Sequence, residues 1–172
     1  DAEMKLLQSK KSCIQLLEEA KKGHCTCDGR EGAWLEAAIQ TLRNNGISIE
    51  AFSTALYIAL KKGRGKYQNI FIHGPANSGK TFVLKPLKLI YDTFCNRATG
   101  TFAWLGAEQA EIIFLNDFRW TQSIIASADL LQALEGDSSF ARPKKLLQTR
   151  DIELTKDTPF FATERMLLFF LL

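Results

Sequence analysis

Long hydrophobic runs are missing from this chain. Nothing in it approaches the roughly 18 consecutive apolar residues that a membrane-spanning helix requires, and the apolar tail Met166 to Leu172 is far shorter. No membrane partner is expected. Cysteine is sparse: Cys13, Cys25, Cys27 and Cys95 are spread over 172 residues, a usage that fits a reducing compartment better than a secreted disulfide framework. No secretory signal stands at the start, so an intracellular location is expected. Charge of one sign is not in excess either. A net charge of +3 and a pI of about 8.7 permit contact with nucleic acid without arguing for it unaided. Internal repeats and low-complexity segments are absent. What is present is a composition close to the globular average, 46% hydrophobic and 24% charged, enough to build a buried core without disulfides or metal.

The front of the chain has helical periodicity. Leu6, Leu7, Ile14, Leu16 and Leu17 recur among lysines and glutamates, which predicts an amphipathic helix over Ala2 to Lys22, ended by Gly23. A second helix is predicted from Ala33 to Asn44, with Trp34, Ala37, Ala38 and Leu42 on its inner face and Asn45 with Gly46 as its stop. Ser48 offers an N-cap to a third, running through Phe52, Leu56 and Leu60 and closed by Lys61, Lys62 and Gly63. Residues 1–66 thus form a small helical unit, joined by a basic, glycine-containing connection to a second region, residues 67–172.

There the pattern changes. Asn69 to His73 is a compact apolar run, followed by a glycine-rich turn and a long apolar pattern from Phe82 to Tyr91. Further strands are expected at Thr101 to Trp104, Ile112 to Asn116 and Pro159 to Thr163, with a helix between Ile124 and Leu134. Strands spaced by helices predict an α/β fold with a mainly parallel sheet.

The turn meets the pattern GxxxxGK[ST] in full, from Gly74 through Pro75, Ala76, Asn77, Ser78, Gly79 and Lys80 to Thr81. Each fixed position has a physical task. The glycines let the backbone turn tightly and approach phosphate oxygens, while inward N–H groups form an anion cradle. Lys80 can reach the outer phosphates, and the Thr81 hydroxyl suits a bridging magnesium ion. Strand, loop and helix in that order predict a P-loop NTPase that binds ATP with Mg2+.

Such a site needs a second strand ending in polar groups that hold the magnesium shell and orient water. The run Glu111 to Asp117 supplies four apolar residues and then Asn116 and Asp117 at the C-terminal end, where ligands gather in parallel sheets. Asp117 is the candidate magnesium-shell acid or catalytic base. Asn116 can accept a hydrogen bond but cannot take up a proton, so binding is better founded here than turnover.

Phe52 to Leu56, Gly63 to Lys66 and Ile70 to Thr81 resemble the entry to the ATPase domain of superfamily 3 helicases. The likeness is to the parvoviral non-structural replication proteins and their relatives in small DNA viruses and mobile elements. Downstream, Leu130 to Asp137, Ala141 to Lys145 and Thr158 to Thr163 are similar in order to the family's helix, DNA-contacting β-hairpin and sensor strand. Roughly residues 48 to 165 are covered.

The resemblance implies an AAA+-like core that assembles as a ring, usually a hexamer, moves along single-stranded DNA using ATP, and serves DNA replication in the nucleus of a host cell. Lys80 and Asp117 would be catalytic, and Thr81, Asn116 and Asp117 would hold magnesium. Thr163 and Arg165 would sense the γ-phosphate, and Arg142, Lys144 and Lys145 would face DNA in the channel. The helices of residues 1–66 would form an oligomerisation collar. The chain departs from the pattern where Glu164 and Arg165 follow Thr163, a position at which the family often has asparagine. It also lacks the distal segment that supplies an arginine finger, so a C-terminal truncation or a decayed copy is expected.

Three other chemistries fit the sequence less well. A zinc site from Cys13, His24, Cys25 and Cys27 lacks the usual ligand spacing. His73 reads as the end of a strand. A small-molecule kinase would leave the helical front unexplained. The remaining alternative is a truncated or domesticated nucleotide-binding protein that joins a ring without turnover.

Overall fold

Helix boundaries follow the capping chemistry. The first helix, α1 (Cys13–Lys22), opens on Ser12, whose hydroxyl accepts from the Gln15 amide at 3.3 Å while the Gln15 side chain accepts from the Ser12 amide at 2.8 Å. This reciprocal capping box satisfies amide donors that a helix start leaves open. The second, α2 (Ala33–Asn44), stops at Asn45. The third, α3 (Ile49–Lys62), begins on the Ser48 cap and ends with Lys61 and Lys62 against its negative end. The computed structural model describes residues 11–23, 32–66, 68–95, 104, 106–118, 127–136, 139–140, 152–154 and 156–164.

Beyond α3 come β1 (Ile70–His73), α4 (Lys80–Leu84), α5 (Leu87–Ile90), β2 (Thr93–Cys95) and β3 (Ile112–Leu115). They are followed by α6 (Ser127–Glu135), β4 (Ser139–Phe140), β5 (Ile152–Glu153) and β6 (Phe160–Glu164). Four strands form one parallel sheet in the order β1-β6-β3-β2, and β4 and β5 pair separately as an antiparallel ribbon. The α/β class and the parallel sheet are therefore as the sequence predicts.

Successive side chains of a strand face opposite ways, and here both faces are covered. Ile112, Phe114 and Phe161 share a buried cluster with Leu16, Ala38, Leu42, Ala59 and Leu60 of the front helices and with Val83, Leu84 and Leu87. On the other face Ile113, Leu115, Phe160 and Ala162 pack with Trp104, Phe118, Leu130, Ala133 and Leu154. Burial on two faces explains why β3 and β6 are apolar almost throughout rather than alternating.

Some elements differ from expectation. The pattern from Phe82 to Tyr91 is two short helices, because Pro86 has no N–H to donate and its ring obstructs the preceding turn. The Lys85 amide closes α4 by bonding the Phe82 carbonyl at 3.2 Å. Of the strand expected at Thr101 to Trp104, Trp104 lies in a turn and the rest lies outside the described residues. A strand not expected from the sequence, Thr93–Cys95, forms the edge of the sheet beside β3. The first helix, expected over Ala2 to Lys22, starts only at Cys13, because the Ser12 capping box leaves Lys11 and Ser12 outside it; residues 1–10 and residues 124–126 of the expected helix near Leu134 lie outside the described residues.

Candidate phosphate-binding site

The strand order determines what meets at the C-terminal end of the sheet. Because β6 lies between β1 and β3, its last residues, Thr163 and Glu164, stand between the glycine-rich loop after β1 and the polar pair after β3. The loop begins as β1 ends at His73, and the Gly74 amide donates to the Glu164 carbonyl at 3.2 Å. It closes through two residues of positive φ, Asn77 at 62° and Gly79 at 84°. Asparagine tolerates the left-handed region and glycine adopts it freely. Lys80 is then the first residue of α4, whose opening bond runs from the Val83 amide to the Gly79 carbonyl at 3.1 Å.

The Lys80 ammonium folds back over its own loop. Nζ donates to the Gly74 carbonyl at 2.7 Å, the Pro75 carbonyl at 2.6 Å and Ser78 Oγ at 3.3 Å. A cation is thus centred on the turn and bound, among the described residues, by neutral acceptors. A Cβ added at Gly74 would come within 3.3 Å of Ser78 Oγ and 4.0 Å of Lys80 Cδ, so it would occupy the space inside the loop. With only five residues α4 carries a small macrodipole. Attraction for an anion rests on Lys80 and the local amides more than on a long helix.

Thr81 joins the loop to β3. Its hydroxyl donates to Asn116 Oδ1 at 2.8 Å, and the Thr163 hydroxyl donates to the same oxygen at 3.2 Å. Thr163 in turn accepts from the Asp117 amide through Oγ1 at 2.9 Å and from the Phe118 amide through its carbonyl at 2.7 Å. This network pins the turn after β3, where Asp117 adopts φ 49°. Thr81, Asn116 and Asp117 are all exposed to solvent. Glu164, the last residue of β6, is only 5% exposed.

These residues fit magnesium triphosphate. Mg2+ takes oxygen ligands, keeps several waters and draws on phosphates rather than an all-protein cage. The hydroxyl of Thr81 and the carboxamide oxygen of Asn116 are adjacent oxygens of that kind, with Asp117 next in sequence. No group of three or more His, Cys, Asp or Glu that could hold a metal by itself occurs among the described residues.

Two groups at the loop were not read as functional from the sequence. Asn45, which reads as the stop of α2, donates through Nδ2 to the Ser78 carbonyl at 3.2 Å and to the Thr41 carbonyl at 2.8 Å. The missing Cβ of Gly79 faces the Thr41 methyl, into which it would run. Their sequence signal is only that of a helix C-terminus. Arg142, Lys144, Lys145 and Arg165 lie outside the described residues, as do His24, Cys25 and Cys27. Cys13 sits on α1 with its thiol 3.6 Å from the Glu111 carbonyl.

No protein-family model matches the chain, and no curated protein matches it significantly. Among the described residues no helix is long and apolar enough to cross a membrane.

Proposed function

We propose that this protein is a P-loop NTPase that binds ATP with Mg2+ and hydrolyses it, as an AAA+-like helicase core of superfamily 3 type acting on single-stranded DNA in replication. The observation that carries the nucleotide part is the convergence of Lys80 over the glycine-rich loop with Thr81 bonded to the tip of a buried parallel strand. Lys80 would bind and orient the outer phosphates, and Thr81 and Asn116 would hold the metal, which supplies charge neutralisation to the phosphates when bound. Asp117 is the group available to orient water or accept its proton. The helicase part, with ring assembly, a nuclear site of action and DNA held by Arg142, Lys144 and Lys145, rests on the family resemblance.

A specific observation favours a second reading, nucleotide binding without turnover. Asn116 stands where an acid would otherwise close the magnesium shell, and its carboxamide oxygen already receives two hydroxyl donors. One assay separates the two. Purified protein is titrated with Mg-ATP, and phosphate release is followed with and without single-stranded DNA. Release stimulated by DNA is expected, as is a loss of affinity of about tenfold or more in Lys80→Ala, the scale of a charged hydrogen-bonded contact. Binding without release selects the second reading. Equal binding by wild type and Lys80→Ala rejects both.

A further inference from the structure

The amide that follows Ser78 is aimed from outside the loop. No peptide bond among the described residues is cis, and in a trans peptide the carbonyl and the next N–H point in opposite directions. Asn45 Nδ2 holds the Ser78 carbonyl toward α2 at 3.2 Å, so the Gly79 N–H is directed away from α2. The same Nδ2 is anchored on the Thr41 carbonyl at 2.8 Å, and the Asn45 backbone amide donates to the Thr41 and Leu42 carbonyls at 3.2 and 3.1 Å. The donor therefore belongs to the residue that caps a twelve-residue helix and is tied to that helix's last turn. Directly beneath, the Thr41 methyl occupies the place of the Cβ that Gly79 lacks. Further along, Trp34 of α2 meets Phe82 of α4 with ring centroids 5.6 Å apart.

We infer that Asn45 is a positioning residue for phosphate: by fixing the Ser78–Gly79 peptide plane it presents the Gly79 N–H to the anion that Lys80 attracts. The inference rests on the nucleotide-binding reading above. It gives the helical front a direct part in ligand binding, since a shift of α2 rotates that peptide and removes a donor from the cradle.

The variants are Asn45→Ala, which removes the donor, and Asn45→Asp, which keeps the shape but only accepts hydrogen bonds. Gln40→Ala is the control, because Gln40 on the same helix bonds Asn44 and not the loop. Mg-ATP affinity is measured by calorimetry, the Gly79 amide is followed by NMR in labelled protein as nucleotide is added, and each variant is melted. Both Asn45 variants are expected to raise Kd about three- to tenfold, the worth of one hydrogen bond. They should also shrink the nucleotide-induced shift of the Gly79 amide, while Gln40→Ala matches wild type. If wild type binds more tightly than Lys80→Ala but both Asn45 variants bind as wild type does, the inference is overturned and the nucleotide site stands. A lowered melting temperature with unchanged Kd overturns it equally, since the contact would then be structural only. Wild type binding no better than Lys80→Ala overturns the nucleotide-binding reading and this inference together.

Discussion

At the scale of single residues, Cys13 and Tyr91 show how burial sets chemistry away from the loop. The Cys13 thiol is pushed up from an ordinary value of 9.0 to about 11, first by desolvation and then by the nearby Glu111 carboxylate. The Tyr91 hydroxyl, which donates to the Cys13 carbonyl at 2.9 Å, is likewise held above its usual range, chiefly by burial. A raised pKa means that the folded state keeps the proton after the unfolded chain has released it. The stabilisation is complete below the unfolded value and is lost as pH rises toward the folded one. Melting temperature is therefore expected to fall between pH 9 and pH 11, with a shallower fall in Cys13→Ser. Equal slopes for wild type and variant would reject the assignment. The same burial predicts that a thiol reagent at neutral pH labels the exposed Cys95 well before Cys13.

At the scale of elements, Arg64 shows what the connection before β1 does besides joining two regions. Residues Gly63 to Gln68 carry the basic and glycine signals of a connection and form one, and within it Arg64 is only 4% exposed. Its guanidinium donates to the carbonyls of Leu154 at 2.8 Å, Ala133 at 3.2 Å and Lys156 at 3.4 Å. It thus joins the last turn of α6 to the segment between β5 and β6, and Asn69 adds a bond to the Leu134 carbonyl at 2.8 Å. A cation suits that turn, where helix carbonyls are left open. Composition cannot distinguish an arginine in water from one capping carbonyls, because both stand among glycines and polar residues. The stops of the front helices at Gly23, Asn45 and Gly63 and the Ser48 start were legible, since caps act locally, whereas the Ser12 capping box that starts α1 inside the longer expected helix was not read. The short strand Thr93–Cys95 was not, because its pairing with β3 comes from residues far away in sequence. Arg64→Ala is expected to destabilise the fold by about 2–4 kcal/mol, as buried acceptors lose their donors. Arg64→Lys should recover only part, since one ammonium cannot span three carbonyls. Urea midpoints at constant slope measure both, and a change in Arg64→Ala below about 0.5 kcal/mol, the size of an ordinary surface substitution, would show that the guanidinium carries no such role.

At the scale of the whole molecule, the open question is what the amphipathic front faces. Its stripe was legible, but periodicity shows only that one side is buried, not against what. Likewise Asn116 and Thr163 could be read as strand ends, whereas their meeting depends on β6 entering between β1 and β3, a long-range pairing that no local signal encodes. In the structure Leu42 of α2 is 6% exposed and belongs to one cluster with Leu16, Leu60, Leu84, Ile112, Phe114 and Phe161. Front helices and sheet then cannot lose their packing separately without exposing the same apolar surface. Leu42→Ala is expected to cost about 2–4 kcal/mol, from lost transfer energy and the cavity left behind. The loss should lower a single transition seen identically by far-UV circular dichroism and by tryptophan fluorescence, since Trp34 reports on α2 and Trp104 on the opposite face of the sheet. Two separated transitions, with only the helical signal moved by the substitution, would mean that the front melts alone, and α2 could then leave the phosphate loop while the sheet stays folded.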